Sequence, residues 1–400
     1  MKILWLTLDA LLPMDSAGRM GVLKRLESVS KKNDIYLYYF YDKENDNQES
    51  VYYLSKICKK VTGFKRNKNY FYLFFYLLLY PYTVSTRISK CLIEDLSECI
   101  KQNNIELINI DFPQMGYSLL KLADISNVRV VMNQHNIEWL RFIEMSKSKD
   151  VSYIKKILMK LEGYRLKKFE NFLYKRINFY AQTFVTDNDL KIFSKIHNVT
   201  NSILEVFPGG GVLKEIENSS IFKGTDKAIV FVGVMSNEFN PEGAFWFINN
   251  VFPLIKKGVS KVKFYVVGKD PISKLRNITD PNIIVTGFVN NLDYYYQKAD
   301  VIVIPVQHGG GVKLKLLEAM GHNKIVVSTS QGARGTDFIN RKSILIADDA
   351  KTFAELCIDV LNNPENYSDL KKNAKELFMR KYSWDVIGKK YNDFLENLKK

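Results

Sequence analysis

Gly309, Gly310 and Gly311 are followed, past Val312, by Lys313, Lys315 and Glu318. Glycines carry no side chain, so backbone N–H groups can close around an anion, and the entrance of a helix adds a partial positive charge. The surrounding stretch, VIVIPVQHGGGVKLKLLEAMGHNKIVVST from Val301 to Thr329, reads as a buried strand ending at Pro305, a glycine loop, and a helix that begins near Lys313 and runs past Glu318. A diphosphate suits that entrance. Lys313 and Lys315 supply full cations that can balance charge gathering on a nucleotide leaving group. Glu318, further along the helix, can accept hydrogen bonds from ribose hydroxyls, as the acidic residue of dinucleotide folds does. Each feature alone also fits an ordinary turn and a solvated helix face, but their conjunction after a strand points to phosphate binding.

Other residues could complete such a site. Gly233, Gly268 with Lys269, and Gly287 with Phe288 stand at expected strand ends, where a nucleobase would be sandwiched, with Val289 offering its backbone beside the Phe288 ring. In the first half, His135 follows a strand and precedes Asn136 and Glu138, a placement that lets an imidazole hydrogen-bond a transferred sugar or position an acceptor. A histidine after a strand is also an ordinary structural residue. Gly18 and Arg19 fall in the expected loop after the first strand, where glycine permits close approach and arginine meets phosphate or saccharide; a plain turn with a surface arginine fits as well. Asp187-Asn188-Asp189 has the look of a metal motif, yet it follows a strand and opens a helix, where aspartates at the N-cap and first turn satisfy orphan N–H groups. His308, Arg334 and Asp337 lie near the glycine loop with nothing to separate ligand from bystander.

The elements that must hold these residues alternate from end to end: short β-rich apolar runs and longer amphipathic segments, the pattern of βα units around parallel sheets. Strands are expected at residues 2–8, 34–39, 105–110, 128–133 and 179–184, then at 228–234, 262–267, 283–286, 301–305, 325–328 and 343–346. Between the two series lies VFPGGGV, with Pro208 and Gly209 to Gly211 as a hinge. The expected fold is α/β, with two Rossmann-like domains whose parallel sheets face each other across a cleft. The first spans 1–205, completed by a C-terminal helix at 385–400, and the second spans 206–384.

At 400 residues the chain exceeds what one core usually supports, which agrees with two domains. A net charge of +15 calls for an anionic partner, but the basic residues are scattered and no nucleic-acid motif accompanies them, so nucleic acid is not expected. Cys58, Cys91, Cys99 and Cys357 form no C-x-x-C pair, which indicates neither zinc nor disulfides and suits a reducing compartment. Asp9 interrupts the apolar start, so residues 2–8 read as a strand rather than a signal peptide. The segment YFYLFFYLLLY, Tyr70 to Tyr80, is too short to span a bilayer. Preceded by Lys56, Lys59, Lys60, Lys65, Arg66 and Lys68, it fits an interfacial helix on anionic headgroups or a helix buried against a sheet.

The run GGGVKLKLLEAM followed by the strand KIVVST resembles the donor-site signature of glycosyltransferase family 4, whose members adopt the GT-B fold. FVGVMSNEFNPEGAFWFINNVFPLI, VVGKD, VTGFVNNLDYYYQKADVIVIP and KYSWDVIGKKYNDFL are similar in order and spacing to the carboxyl-terminal part of that family, while DSAGRMGVLKRL and NQHNIEW resemble its first glycine loop and His-Asn-x-Glu segment. The resemblance is strong from Ala228 to Thr336 and weak from Asp42 to Glu98. It implies a retaining, metal-independent transfer from a nucleotide sugar, a UDP-sugar by preference, held by the second domain, to a saccharide or lipid-linked acceptor bound by the first. Cytoplasmic surface-glycan assembly (capsule, O-antigen or exopolysaccharide) is the implied setting, at the inner face of the membrane. It also implies that no cofactor is needed and that His135, Lys315 and Glu318 are catalytic, with Gly18, Arg19, Asn136 and Glu138 on the acceptor or sugar side. Two departures stand out: Gly310 replaces a glutamate common in the family, and Glu242 stands where many members carry a lysine, the cations having moved to Lys313 and Lys315. Two alternatives stay open, a nucleotide-sugar epimerase on the same scaffold and a catalytically silent partner protein.

Overall fold

The computed structural model describes residues 1–14, 16–122, 125, 127–147, 152–197, 202–214, 226–236, 239–309 and 312–398. Gly310 and Gly311 lie outside them. The chain divides into two units, Met1–Gly209 with Ile387–Lys400, and Gly210–Val386.

The first unit is built on β1 (Lys2–Thr7), β2 (Asp34–Tyr41), β3 (Lys60–Lys65), β4 (Leu107–Asp111), β5 (Arg129–Gln134), β6 (Ala181–Phe184) and β7 (Ile203–Val206), in the order β3-β2-β1-β4-β5-β6-β7. The second is built on β8 (Lys227–Val232), β9 (Val262–Val267), β10 (Ile283–Gly287), β11 (Val301–Ile304), β12 (Val326–Ser328) and β13 (Leu345–Ile346), in the order β10-β9-β8-β11-β12-β13. Every strand pair is parallel. Helices cover the faces, so the central strands are buried on both sides and read as unbroken apolar runs such as ILWL and AIVFV. Each strand expected from the sequence forms, within a few residues at its ends. The edge strands β3 and β7 were not legible: their side chains are half-buried or alternate with exposed ones, which leaves no apolar run to read.

In each sheet the strand order reverses once, between β1 and β4 and between β8 and β11. Crossover connections leave β1 and β4 toward opposite faces, so a crevice opens at their carboxyl ends, and the same holds for β8 and β11. These are the two places where open α/β sheets take ligands.

The C-terminal helix Trp384–Asn397 returns to the first unit and plugs its buried polar layer. The buried Tyr391 hydroxyl donates to Asn109 Oδ1 at 2.6 Å and lies 2.9 Å from Asn133 Oδ1, while Asn33 donates to Asn392 at 3.0 Å. Among the described residues no helix is long and apolar enough to cross a membrane. Thr186, rather than an aspartate, is the N-cap of the helix Asp187–Ile196: its hydroxyl accepts from Asp189 N at 3.0 Å and donates to the Asp189 carboxylate at 2.8 Å. Asp187 and Asp189 occupy the first turn, where carboxylates favour the positive helix end.

Candidate functional site

At the β8/β11 reversal the expected helix is in place, with Gly309 ahead of it. After β11 the chain leaves the sheet, Gly309 takes φ of +106°, and the helix Leu314–Gly321 follows with Lys313 as its N-cap. The Lys313 ammonium donates to the Gly309 carbonyl at 3.0 Å, and Gln331 Nε2 donates to the same oxygen. A side chain at Gly309 would press on the Phe239 ring, 3.0 Å from its ideal Cβ. Gly309 is thus pinned from two directions, with Lys313 and Lys315 at the positive end of a helix. Two cations there repel the helix dipole, an arrangement that an anion relieves.

Lys315 is the better defined of the two. Its ammonium donates to Asn240 Oδ1 and lies 4.5 Å from the centre of the Phe231 ring. Burial, with the neighbouring Lys313 charge adding to it and Glu318 opposing, pushes its pKa down to about 7. Asn240 is itself fixed, donating to the Val234 carbonyl at 2.7 Å. The expected glycines converge on this ammonium: an ideal Cβ on Gly233 would stand 2.9 Å from Lys315 Nζ, and one on Gly268 only 1.8 Å from the Gly233 carbonyl oxygen. Gly268 also takes φ of +148°, which L side chains rarely adopt. Gly268→Ala is therefore expected to destabilise the second unit by about 1–3 kcal/mol, read as a lowered denaturation midpoint with unchanged slope. A midpoint within error of the parent would show that this close approach is not required.

Glu318 lies on the same helix, half-buried, with Oε2 accepting from the Tyr296 hydroxyl at 2.9 Å. Burial raises its pKa, against the Tyr296 hydrogen bond and the Lys315 charge. Tyr296 is in turn clamped by His322, stacked at 4.4 Å, whose Nε2 lies 3.2 Å from Asp293. The remaining lone pairs of the Glu318 carboxylate are thus aimed by a buried scaffold. Gly268 N donates to the Gly287 carbonyl at 3.2 Å, which brings Gly287 and Phe288 to the same sheet end. The Phe288 ring is 71% exposed, whereas Val289 packs on the core. Sequence reading missed Asn240, Gln331 and Tyr296, whose types carry no phosphate-binding signal of their own. His308 pairs with Glu242 at 3.3 Å, and Asp337 with Lys381.

At the β1/β4 reversal of the first unit stands a second cluster. Asp111, wholly buried at the end of β4, accepts from Trp5 Nε1 at 2.5 Å and Arg25 Nη2 at 3.2 Å, and lies 2.9 Å from His135 Nε2. Arg25 Nη2 is 3.0 Å from the same imidazole nitrogen. Burial lowers the His135 pKa more than the Asp111 hydrogen bond raises it, and the Arg25 charge adds to the lowering. The imidazole is therefore neutral at pH 7, and a ring donating from Nε2 to Asp111 leaves Nδ1 as an acceptor. The ring stacks at 4.3 Å on Phe112, a non-glycine residue at φ of +70°, and Phe112 Cζ lies 3.4 Å from the ideal Cβ of Gly18. Gly18 and His135 thus share one crevice.

Two sequence expectations change. Gly18 and Arg19 sit in the first turn of the helix Ala17–Val29, capped by Ser16, not in a loop, because the Ser16 hydroxyl accepts from Arg19 N at 3.3 Å. Arg19 Nη1 donates to the Pro13 carbonyl at 3.2 Å, which ties the preceding loop down. Glu138 is buried rather than presented: its oxygens accept from Asn136 and Gln114, each at 3.3 Å. Glu138 thereby holds the Asn136 and Gln114 amides in place. The buried Glu170 carboxyl nearby is pushed well up by burial, with the Glu138 charge adding to it.

Residues 226–363 match the family of glycosyl transferases group 1. The chain carries a group 1 glycosyltransferase domain. The transferase is 27% identical over 390 residues, 94% of each chain, to a Klebsiella pneumoniae protein described as an uncharacterized 44.6 kDa protein in the cps region. Among solved structures it is similar to sucrose-phosphate synthase from Thermosynechococcus elongatus, with TM-score 0.69 at 16% identity over 100% of this chain and 99% of that one. It is also similar to Anabaena HepE in complex with UDP, with TM-score 0.69 at 11% identity over 99% and 100%. These likenesses establish the GT-B fold for the transferase, and the lysine-bearing helix entrance lies inside the matched region.

Proposed function

We propose that this glycosyltransferase moves a sugar from a UDP-sugar, held by the second unit, to a saccharide or lipid-linked acceptor taken by the first, in assembly of a surface glycan. The observation that carries the reading is the half-buried Lys315 at a helix entrance, its ammonium boxed by Asn240, Phe231 and the Gly233 backbone. A cation held so far below its ordinary pKa gains most when a diphosphate arrives, because the anion replaces the hydration it has lost. The HepE structure with UDP supports the choice of base, and the cps-region relative supports the setting.

In this reading transfer retains the anomeric configuration: the sugar leaves with its diphosphate, the acceptor hydroxyl attacks from the same face, and the departing phosphate oxygen receives the proton. Lys313 and Lys315 carry the charge balance that a divalent metal carries elsewhere. Neutral His135 accepts a hydrogen bond from the sugar or acceptor through Nδ1, and Glu318 holds the ribose.

A thermal-shift screen with UDP, GDP, dTDP and CMP tests the donor, since a ligand of the folded state raises its apparent stability. UDP is expected to give the largest rise, about 2.7 kcal/mol at a hundred times its Kd, and turnover is expected to survive excess EDTA. No shift with any nucleotide would remove the donor site, and strict manganese dependence would return Asp187 and Asp189 as ligands.

A further inference from the structure

The first unit carries an apolar surface that its own core does not use. On the helix Tyr153–Arg176 the buried residues Gly163, Leu166, Phe169, Glu170 and Leu173 define one face. At 3.6 residues per turn, Tyr153, Ile157, Leu161 and Tyr164 form a stripe on the other side, with Ile154 and Leu158 beside it. All six are exposed, Tyr153 by 78% and Ile154 by 72%. Exposed apolar residues in one stripe, unlike scattered ones, mark an interaction site.

A second helix extends this surface. Glu162 accepts from Tyr82 N and Thr83 N at 2.9 Å, and Arg165 Nη2 donates to the carbonyls of Leu77 and Tyr80. These bonds fasten the end of the helix Tyr70–Leu79 beside the stripe, where Phe75, Leu78, Leu79 and Tyr82 are also exposed, Leu79 by 75%. The segment has two sides: Leu73 is buried and Tyr76 and Tyr80 pack on the core of the first unit, while Phe75, Leu78 and Leu79 face outward.

Charge identifies the occupant. From Tyr153 to Lys168 the chain carries Lys155, Lys156, Lys160, Arg165, Lys167 and Lys168 against the single carboxylate Glu162, and both Arg165 and Glu162 are engaged by backbone. Lys156 and Lys160 flank the stripe on one side by the same helical spacing and Lys168 is exposed in line with it, while the Lys167 ammonium lies over the Trp139 ring at 4.5 Å. An apolar face bordered by lysines is the pattern of a helix lying in the headgroup region of an anionic bilayer. A second copy of the chain would bring like-charged borders together.

We propose that these two helices dock the protein on anionic lipid through Phe75, Leu78, Leu79, Ile154, Ile157, Leu158 and Leu161, with the flanking lysines on the headgroups. The docked helix packs closely on the helix Glu138–Met145 at Gly163, where a side chain would not fit: an ideal Cβ there would stand 2.9 Å from Ile143 Cγ1 and from Trp139 O. The bilayer face is therefore one helix layer from the His135-Asn136 segment, which suits an acceptor that is itself membrane-borne.

The purified full chain is tested by co-sedimentation with vesicles of phosphatidylcholine alone or mixed with phosphatidylglycerol. Binding is expected to be at least about tenfold stronger to the anionic vesicles and to weaken with salt. Ile154→Asp with Leu158→Asp is expected to abolish it, and Lys156→Glu with Lys160→Glu to remove the preference for phosphatidylglycerol. UDP binding, measured by calorimetry on the same variants, is expected to be unchanged, which separates this surface from the donor reading. Equal binding to both vesicle types, full binding by the aspartate variant, or a self-association in sedimentation velocity that the aspartates abolish without vesicle binding by the parent would each overturn the proposal.

Discussion

Lys315→Ala is expected to lower kcat/KM for sugar transfer by about 10²–10³-fold with little change in Tm. The ammonium is fixed in the donor crevice by its surroundings, between Asn240 and the Phe231 ring. Removing it leaves the charge that develops on the leaving diphosphate without its nearest counterion. Stability is spared because folding already holds this lysine at a cost, as its lowered pKa records. The same shift predicts a pH signature. Below pH 7 the unliganded lysine is protonated and donor affinity is flat. Above pH 7 it is neutral in the empty site, while the bound diphosphate favours the ammonium, so binding takes up one proton and Kd rises by up to about tenfold per pH unit. Lys315→Arg, charged throughout, is expected to bind with no such rise. Calorimetry with a UDP-sugar, which has no titrating terminal phosphate, measures both. Undiminished turnover in Lys315→Ala, or identical pH profiles for the lysine and arginine forms, would take Lys315 out of the donor site.

Asp111→Asn is expected to cost the first unit about 3–5 kcal/mol, a larger loss than at any surface carboxylate. Asp111 and Arg25 are both buried, so neutralising the aspartate strands the guanidinium in the interior with the hydrogen bonds of Trp5 and His135 also disturbed. Removing both charges, with Arg25→Met added, is expected to recover part of the loss, because the uncompensated charge is then gone. Denaturant titrations of the three variants give the coupling directly. An Asp111→Asn midpoint equivalent to within about 0.5 kcal/mol of the parent would mean that Arg25 is not held as an ion pair. Transfer is expected to fall further than stability explains, since an amide offers one acceptor oxygen where the carboxylate offers two to Trp5, Arg25 and His135, which disturbs the setting of the His135 ring.

The strand–glycine–lysine run from Val301 to Thr329 could be read as a unit because every step of it is local: a buried strand, a loop with a positive φ at Gly309, and a helix from Leu314. The helix dipole and the positions of Lys313 and Lys315 within its first residues follow from that order alone. The alternation of strands and helices likewise set the α/β class, since parallel strands need crossovers and buried strands need apolar runs. The edges β3 and β7 escaped because a strand half open to solvent need not be apolar.

What meets Lys315 was decided by tertiary structure. Asn240 reaches it from 75 residues away, and Gly233, which clears its space, and Gly268, which lets the Gly233 backbone approach, lie at the ends of other strands. His135 is a similar case: its local context is His-Asn-x-Glu, but its chemistry comes from Arg25, 110 residues distant, and from Asp111, which belongs to a different strand. Glu138 reads as a site carboxylate until packing turns it inward onto Gln114. Periodicity tells which side chains share a face within one segment. Which strand ends share a crevice depends on the order β1-β4 and β8-β11, which is fixed only when the sheets close.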